Sequence, residues 1–121
     1  MMVKRSLAAR LHDILDNIAN AKAFVGGLNS DQVNSDPLRR LALERAVEII
    51  SEASRHLPDE MRAKHPQIPW RNIAGTGNWL RHAYERVDTD LIWGIVQYDL
   101  DPPKAAVESL LTDVQANERE E

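Results

Sequence analysis

Arg81-His82-Ala83-Tyr84 follows directly on Gly75-Thr76-Gly77-Asn78-Trp79-Leu80, and together they gather most of the chain's candidate chemistry. A histidine changes charge near neutral pH, so His82 is the natural group for moving protons. Asn78 lies four residues before it, a spacing at which helical side chains meet and one imidazole tautomer can be held. On the residues alone, an interfacial histidine with a hydrogen bond is the plainer reading. Arg81 likewise has a plain role, pairing with Glu85 at i+4. Two glycines in three positions are unusual, since each costs a helix about 1 kcal/mol relative to alanine.

Charge is uneven around this segment. Residues 60–88 carry Arg62, Lys64, Arg71, Arg81 and Arg86 against Glu60, Glu85 and Asp88, a net +2, whereas the chain of 121 residues totals −4 and the remainder therefore −6. A locally basic region on an acidic protein permits a phosphate contact without requiring one.

The elements that must position these residues read as helices. Leu7, Leu11, Ile14, Ile18, Ala21 and Val25 form one apolar stripe, stopped by Gly26-Gly27. LNSDQVNSD reads as a polar link with room for a short helical turn. Ser35-Asp36-Pro37 has the form of a helix start, a capping side chain ahead of a first-turn proline. Leu38, Leu41, Ala42, Arg45, Ala46, Ile49, Ile50, Ala53 and Leu57 then mark a second stripe, ended by Pro58. A short piece over 59–64 precedes HPQIPW.

Pro69 opens the helix of interest, with Trp70, Ile73, Ala74, Gly77, Leu80, Tyr84 and Val87 on its apolar face. At about 100° per residue, Arg71, Gly75, Asn78 and His82 share a polar stripe beside that face. Gly77 thus reads as a packing glycine that lets another helix approach. Asp88 caps a further helix with Ile92, Trp93, Ile95 and Val96. Pro102-Pro103 leads into a last one with Val107, Leu110, Leu111 and Val114, and the charged tail from about 116 is expected to fray. The expected fold is all-α, a four- to five-helix antiparallel bundle forming one domain over 1–121.

Other chemistry is excluded or unsupported. Without cysteine there is no disulfide and no thiolate metal site. No phosphate loop, nucleophile elbow or HExxH occurs, and the histidines at 12, 56, 65 and 82 have no metal-ligand spacing. Neither metal nor cofactor is expected. Glu44, Glu48 and Glu52 interleave with Arg45 and Arg55 as a solvated face does. No signal core or membrane-spanning run is present, so a cytoplasmic protein is expected.

Three stretches carry a family resemblance, LHDILDNIANAKAFV, LERAVEIISEASRHLP and above all HPQIPWRNIAGTGNWLRHAYERVDTDLIWGIV. Over about residues 5–111 the chain resembles the HepT-like branch of the HEPN domains. The resemblance implies a dimeric helical bundle that acts as the toxin of a toxin–antitoxin pair, with a nucleotidyltransferase-fold antitoxin as partner. It also implies metal-independent cleavage of RNA, tRNA and mRNA being candidate targets. In that scheme an arginine holds the scissile phosphate while a histidine, here His82, handles protons as a ribose 2′-hydroxyl attacks. Asn78 takes the place of the family asparagine. Tyr84 corresponds to the tyrosine that the partner modifies with AMP, which would put bulk and negative charge where RNA phosphate binds.

One family feature is missing. With four to six residues between the motif arginine and the histidine, that arginine would fall at Gly77, Thr76 or Gly75. Arg81 is one substitute, turned about 100° from His82 on a regular helix. Arg71 is another, on the His82 stripe but about 16 Å away along the axis, within reach only from an antiparallel copy in a dimer. Arg71 and Arg86 are also candidate RNA contacts. The alternative reading is a catalytically silent HEPN dimer that binds a partner or a nucleotide.

Overall fold

A computed structural model describes residues 5–82 and 89–120. Among the described residues every regular element is helical: α1 (Leu7–Val25), α2 (Ser30–Asn34), α3 (Pro37–Arg55), α4 (Asp59–Arg62), α5 (Trp70–His82), α6 (Thr89–Gly94) and α7 (Asp101–Glu120), with a π-helical turn at Ile95–Asp99. The bundle therefore rests on four longer helices and three short ones.

Local chemistry sets the boundaries. The Ser6 hydroxyl accepts from the Ala9 amide at 3.0 Å and starts α1, satisfying one of the donors that a helix start leaves orphaned. Gly26, at φ 55°, ends that helix, and its amide donates to the Lys22 carbonyl at 2.8 Å. Positive φ costs a side chain-bearing residue, so glycine suits this exit. Asn29 and Gln32 form a reciprocal capping box on α2. Asp36 caps α3 ahead of Pro37, as the sequence predicts.

Helix α3 is central, packing on α1 along one flank and α5 along the other, while α7 covers α1. Leu11, Ile14 and Ile18 of α1 meet Leu43, Val47 and Ile50 of α3 and Val107 and Leu110 of α7 in one continuous core. The core face of α3 differs from the expected stripe. Leu38 and Leu41 are 82% and 57% exposed, and Arg45 is exposed too. Having neighbours on two sides, α3 buries a broad arc over Leu43, Ala46, Val47, Ile50, Ser51, Ala53 and Ser54, which keeps Ala46, Ile50 and Ala53 of the expected stripe and adds the rest. The three exposed residues of the expected stripe lie opposite that arc. The charged tail is helical as well, continuing α7 to Glu120.

Two indoles tie the short elements down. The Trp70 Nε1 donates to the carbonyls of Arg62 and His65, at 3.1 and 3.0 Å, fixing the start of α5 to the turn after α4. The Trp93 Nε1 donates to the Leu28 carbonyl at 2.9 Å and holds α6 against the α1–α2 link.

Helices α3 and α5 approach closely at Ser51 and Gly77. The buried Ser51 hydroxyl donates to the Ala74 carbonyl at 2.7 Å and accepts from the Gly77 amide at 2.7 Å. A Cβ on Gly77 would lie 2.5 Å from Ser51 Oγ and 2.8 Å from Ser51 Cβ. The packing role expected for Gly77 is what the structure shows, with α3 as the approaching helix.

Gly77→Ala should therefore destabilise, although alanine is the better helix former by about 1 kcal/mol. Overpacking a tight contact costs roughly 1–3 kcal/mol, so a net loss of about 1–2 kcal/mol is expected in urea unfolding. Ser51→Ala should cost about 1–2 kcal/mol through the two lost hydrogen bonds. The two losses should not add, because both substitutions act on one contact. A third expectation concerns Asp101 in the first turn of α7. The Lys22 ammonium bonds its carboxylate and holds its pKa below the usual range. A depressed carboxylate contributes stability above its unfolded pKa and loses it as pH falls through the folded value. Asp101→Asn should thus lower Tm slightly at neutral pH, and the difference should vanish in acid.

Candidate functional site

The site is built on α5 because its two sides face different surroundings. Trp70 and Gly77 are buried, and Ile73, Ala74 and Leu80 are half-buried on the packed side. Arg71, Gly75 and Asn78 are exposed on the other. At 100° per residue these three fall within about 60° of one another, and the backbone of His82 continues the same line. The polar stripe expected from sequence is thus the solvent-facing side of a helix whose back is fastened to α3.

Beside the stripe runs a groove of about 390 Å³ between α5 and the α6–π-turn segment. Arg71, Asn72, Gly75 and Thr76 form one wall, Leu91, Ile92 and Ile95 the other. Arg71 has no ion pair among the described residues. Its guanidinium is an uncommitted cation at the groove edge, suited to a phosphate oxygen. The Thr76 hydroxyl donates to the Asn72 carbonyl at 2.9 Å, which leaves its oxygen lone pairs available to accept.

The sequence-predicted residues divide clearly. Arg71 and Asn78 are exposed along one stripe. Arg81 and His82 end α5, and at that point the backbone is what the structure describes. The expected Asn78–His82 contact and the Arg81–Glu85 pair lie outside the described residues. Tyr84 and Arg86 lie outside them as well. Backbone position alone turns Arg81 about 100° from His82. Among the described residues no cluster of His, Asp or Glu gathers to hold a metal ion, and no helix is long and apolar enough to cross a membrane. The Glu-rich face of α3 is a paired surface, with Arg45–Glu48 at 2.9 Å and Arg55–Glu52 at 3.4 Å.

The three positions at which the resemblance would place an arginine are not equivalent. Gly77 is closed by Ser51. Thr76 is half-buried at the boundary of the groove. Gly75 is open, since a Cβ there would have no neighbour within 4 Å. Ser51 escaped the sequence reading, and its only signal was a serine inside a mainly apolar stretch of helix. Asn72 escaped it too, because its importance depends on what α6 places opposite.

Comparison with known proteins points the same way as this arrangement. The family described as Ribonuclease HepT-like matches residues 14–110. A Methanocaldococcus jannaschii protein named by inference as an RNase is 36% identical over 107 residues, 88% of this chain and 98% of its own. A Thermococcus cleftensis protein named by inference as ribonuclease HepT is 35% identical over 108 residues, 89% of this chain and 98% of its own. A third relative, from Caldanaerobacter subterraneus and also named by inference as an RNase, is 34% identical over 72% of this chain and 78% of its own. No solved structure matches the chain. With most of its length matched, and its glycine-bearing site helix inside the matched span, the chain belongs to the HepT-like ribonuclease family.

Proposed function

We propose that the protein is a HepT-like toxin that cleaves RNA without a metal and is silenced by a nucleotidyltransferase-fold antitoxin. The observation that carries the reading is the exposed stripe of α5. It sets an exposed arginine, an asparagine and the His82 backbone in one line on a locally basic segment. The imidazole of His82 takes the proton of a ribose 2′-hydroxyl as its oxygen attacks the adjacent phosphorus. The bond from phosphorus to the 5′-oxygen breaks, that oxygen leaves as a hydroxyl by taking a proton from water or from the imidazolium, and a 2′,3′-cyclic phosphate remains. Arginine lowers the cost of charge on the phosphoryl oxygens, a task suited to its planar donor fork.

Gly77 cannot supply that arginine, since Ser51 occupies the space a side chain would need. Arg81 is the nearer substitute in sequence. Arg71 lies on the correct stripe but would act from a second copy of the chain in a dimer. Tyr84 is the position at which a partner would attach AMP, so that added charge repels RNA phosphate.

Purified protein should cleave RNA with EDTA present, and His82→Ala should lower the rate by roughly 10²–10⁴-fold, the usual contribution of general acid–base catalysis. Arg81→Ala and Arg71→Ala identify the substitute. If Arg71 acts across a dimer, mixing inactive Arg71→Ala with inactive His82→Ala should recover part of the parent rate. No cleavage by well-folded parent protein across several RNA classes would instead support a silent binding subunit. Gly75→Arg offers a separate check. The open position should accept the side chain without loss of Tm and raise the cleavage rate. Gly77→Arg should fail to fold, and a stable Gly77→Arg protein would contradict the steric account.

A further inference from the structure

The groove beside the polar stripe does not end at Thr76. Behind it lies a second cavity of about 360 Å³, enclosed by α5, the π-helical turn and the start of α7. Asn72, Thr76 and Ile95 line both spaces. The two are thus neighbours across those three residues, with Arg71 at the edge of one and the apolar floor of Ile14, Ile50 and Val107 in the other, which also opens to solvent beside Tyr98. The inner volume falls within the roughly 300–1,000 Å³ of sites that hold small organic groups.

The chemistry along this path changes in order. At the outer end lies Arg71, exposed and without an ion pair among the described residues. In the middle, the Asn72 side-chain amide has no hydrogen-bond partner among the described residues, and the Thr76 hydroxyl keeps its acceptor capacity. Tyr98 stands at the inner cavity, 72% exposed, with its ring edge-on to Trp93 at 5.9 Å. At that exposure much of its ring is open to a stacking partner. Asp99, exposed beside it, is the only carboxylate among the described residues that line the cavity. A carboxylate repels phosphate and accepts hydrogen bonds from exocyclic amino groups.

This order matches a nucleotide and fixes its direction. We infer that the groove seats one unpaired nucleotide of the RNA, its phosphate at Arg71 and its base in the inner cavity between Asn72 and Tyr98. The inference rests on the ribonuclease reading for its choice of ligand. Amide contacts to a base edge and aromatic stacking need a base splayed out of a helix. The protein should therefore favour single strands. Thr76 lies six residues, about 9 Å of helix rise, before His82. The seated base thus lies off the cut site and would select where along a strand cleavage occurs.

The π-helical turn has a place in this account. Such turns are rare and recur at functional sites. Here the turn carries both Ile95, on the shared wall, and Tyr98 and Asp99, at the inner end. Tyr98 and Asn72 are both exposed, so their substitution should leave the fold intact.

The test is binding of a fluorescently labelled single-stranded RNA to His82→Ala protein, read by anisotropy over a range of salt. Single strands should bind about tenfold more tightly than the same sequence in a duplex, as expected where aromatic stacking contributes. Tyr98→Ala and Asn72→Ala should each weaken single-strand binding about tenfold without changing its salt dependence, and Tyr98→Phe should restore it. Arg71→Ala should also weaken binding, but with a salt slope flatter by about one. Parent-like binding by both Tyr98→Ala and Asn72→Ala, or equal affinity for duplex, would overturn the inference. So would absence of RNA binding because a protein segment or a second copy fills the groove. Cleavage by the parent is scored separately. Binding without cleavage removes the nuclease reading alone, and cleavage indifferent to these variants removes the groove alone.

Discussion

One serine hydroxyl sets the spacing on which the site depends. Ser51 sits between the Ala74 carbonyl and the Gly77 amide, so α3 and α5 meet nearly backbone to backbone. The hydroxyl is buried, and a buried polar group left unpaired would cost about 1–3 kcal/mol. The contact therefore specifies register as well as distance. A slip of α5 by one residue would bring a side chain to the position of Gly77 and strand the hydroxyl. Because α3 is itself held by α1, the exposed face of α5 is referred to the whole core through this point.

That constraint gives the missing arginine a physical meaning. A catalytic arginine at 77 is incompatible with a serine at 51, whereas one at 75 would project into open space. In this chain the absence of a side chain at 77 is matched by a serine on another helix, whose Oγ and Cβ fill the space a Cβ there would need. A close helix contact occupies the place of a cationic side chain. The polar stripe still presents Arg71 and Asn78 to solvent on the side of α5 away from that contact.

Much of this was legible in the chain. The α1 stripe, the Asp36 cap, the Pro69 start and the packing use of Gly77 follow from period and local chemistry, which act within a few residues. The errors arise where tertiary neighbours decide. Leu38 and Leu41 fit a helical stripe, but α3 is clasped on two flanks and buries a broader arc that keeps Ala46, Ile50 and Ala53 and leaves those two leucines out. The π-helical turn has no sequence signature of its own. Neither Asn72 nor Tyr98 could be tied to a groove before α6 and α7 were in place, because a groove belongs to several elements at once.

The geometry also separates the two substitute arginines by what each would require. Arg81 adjoins His82 in sequence, but the helix turns it about 100° away. It could serve the same phosphate only with the substrate lying across the helix end. Arg71 needs no such turn, for it shares the stripe, yet about 16 Å of axial rise separates it from His82 in one chain. On the proposed reading, a phosphate held at Arg71 would not be the one cleaved by the same subunit. Within a single chain Arg71 is better placed to anchor a neighbouring nucleotide than to stabilise the transition state. Anchoring and catalysis become one function only if a second copy runs antiparallel to the first, where Arg71 of each would approach His82 of the other. The division of labour between these two arginines is thus a question about assembly, posed by the single residue at 77 that cannot be an arginine.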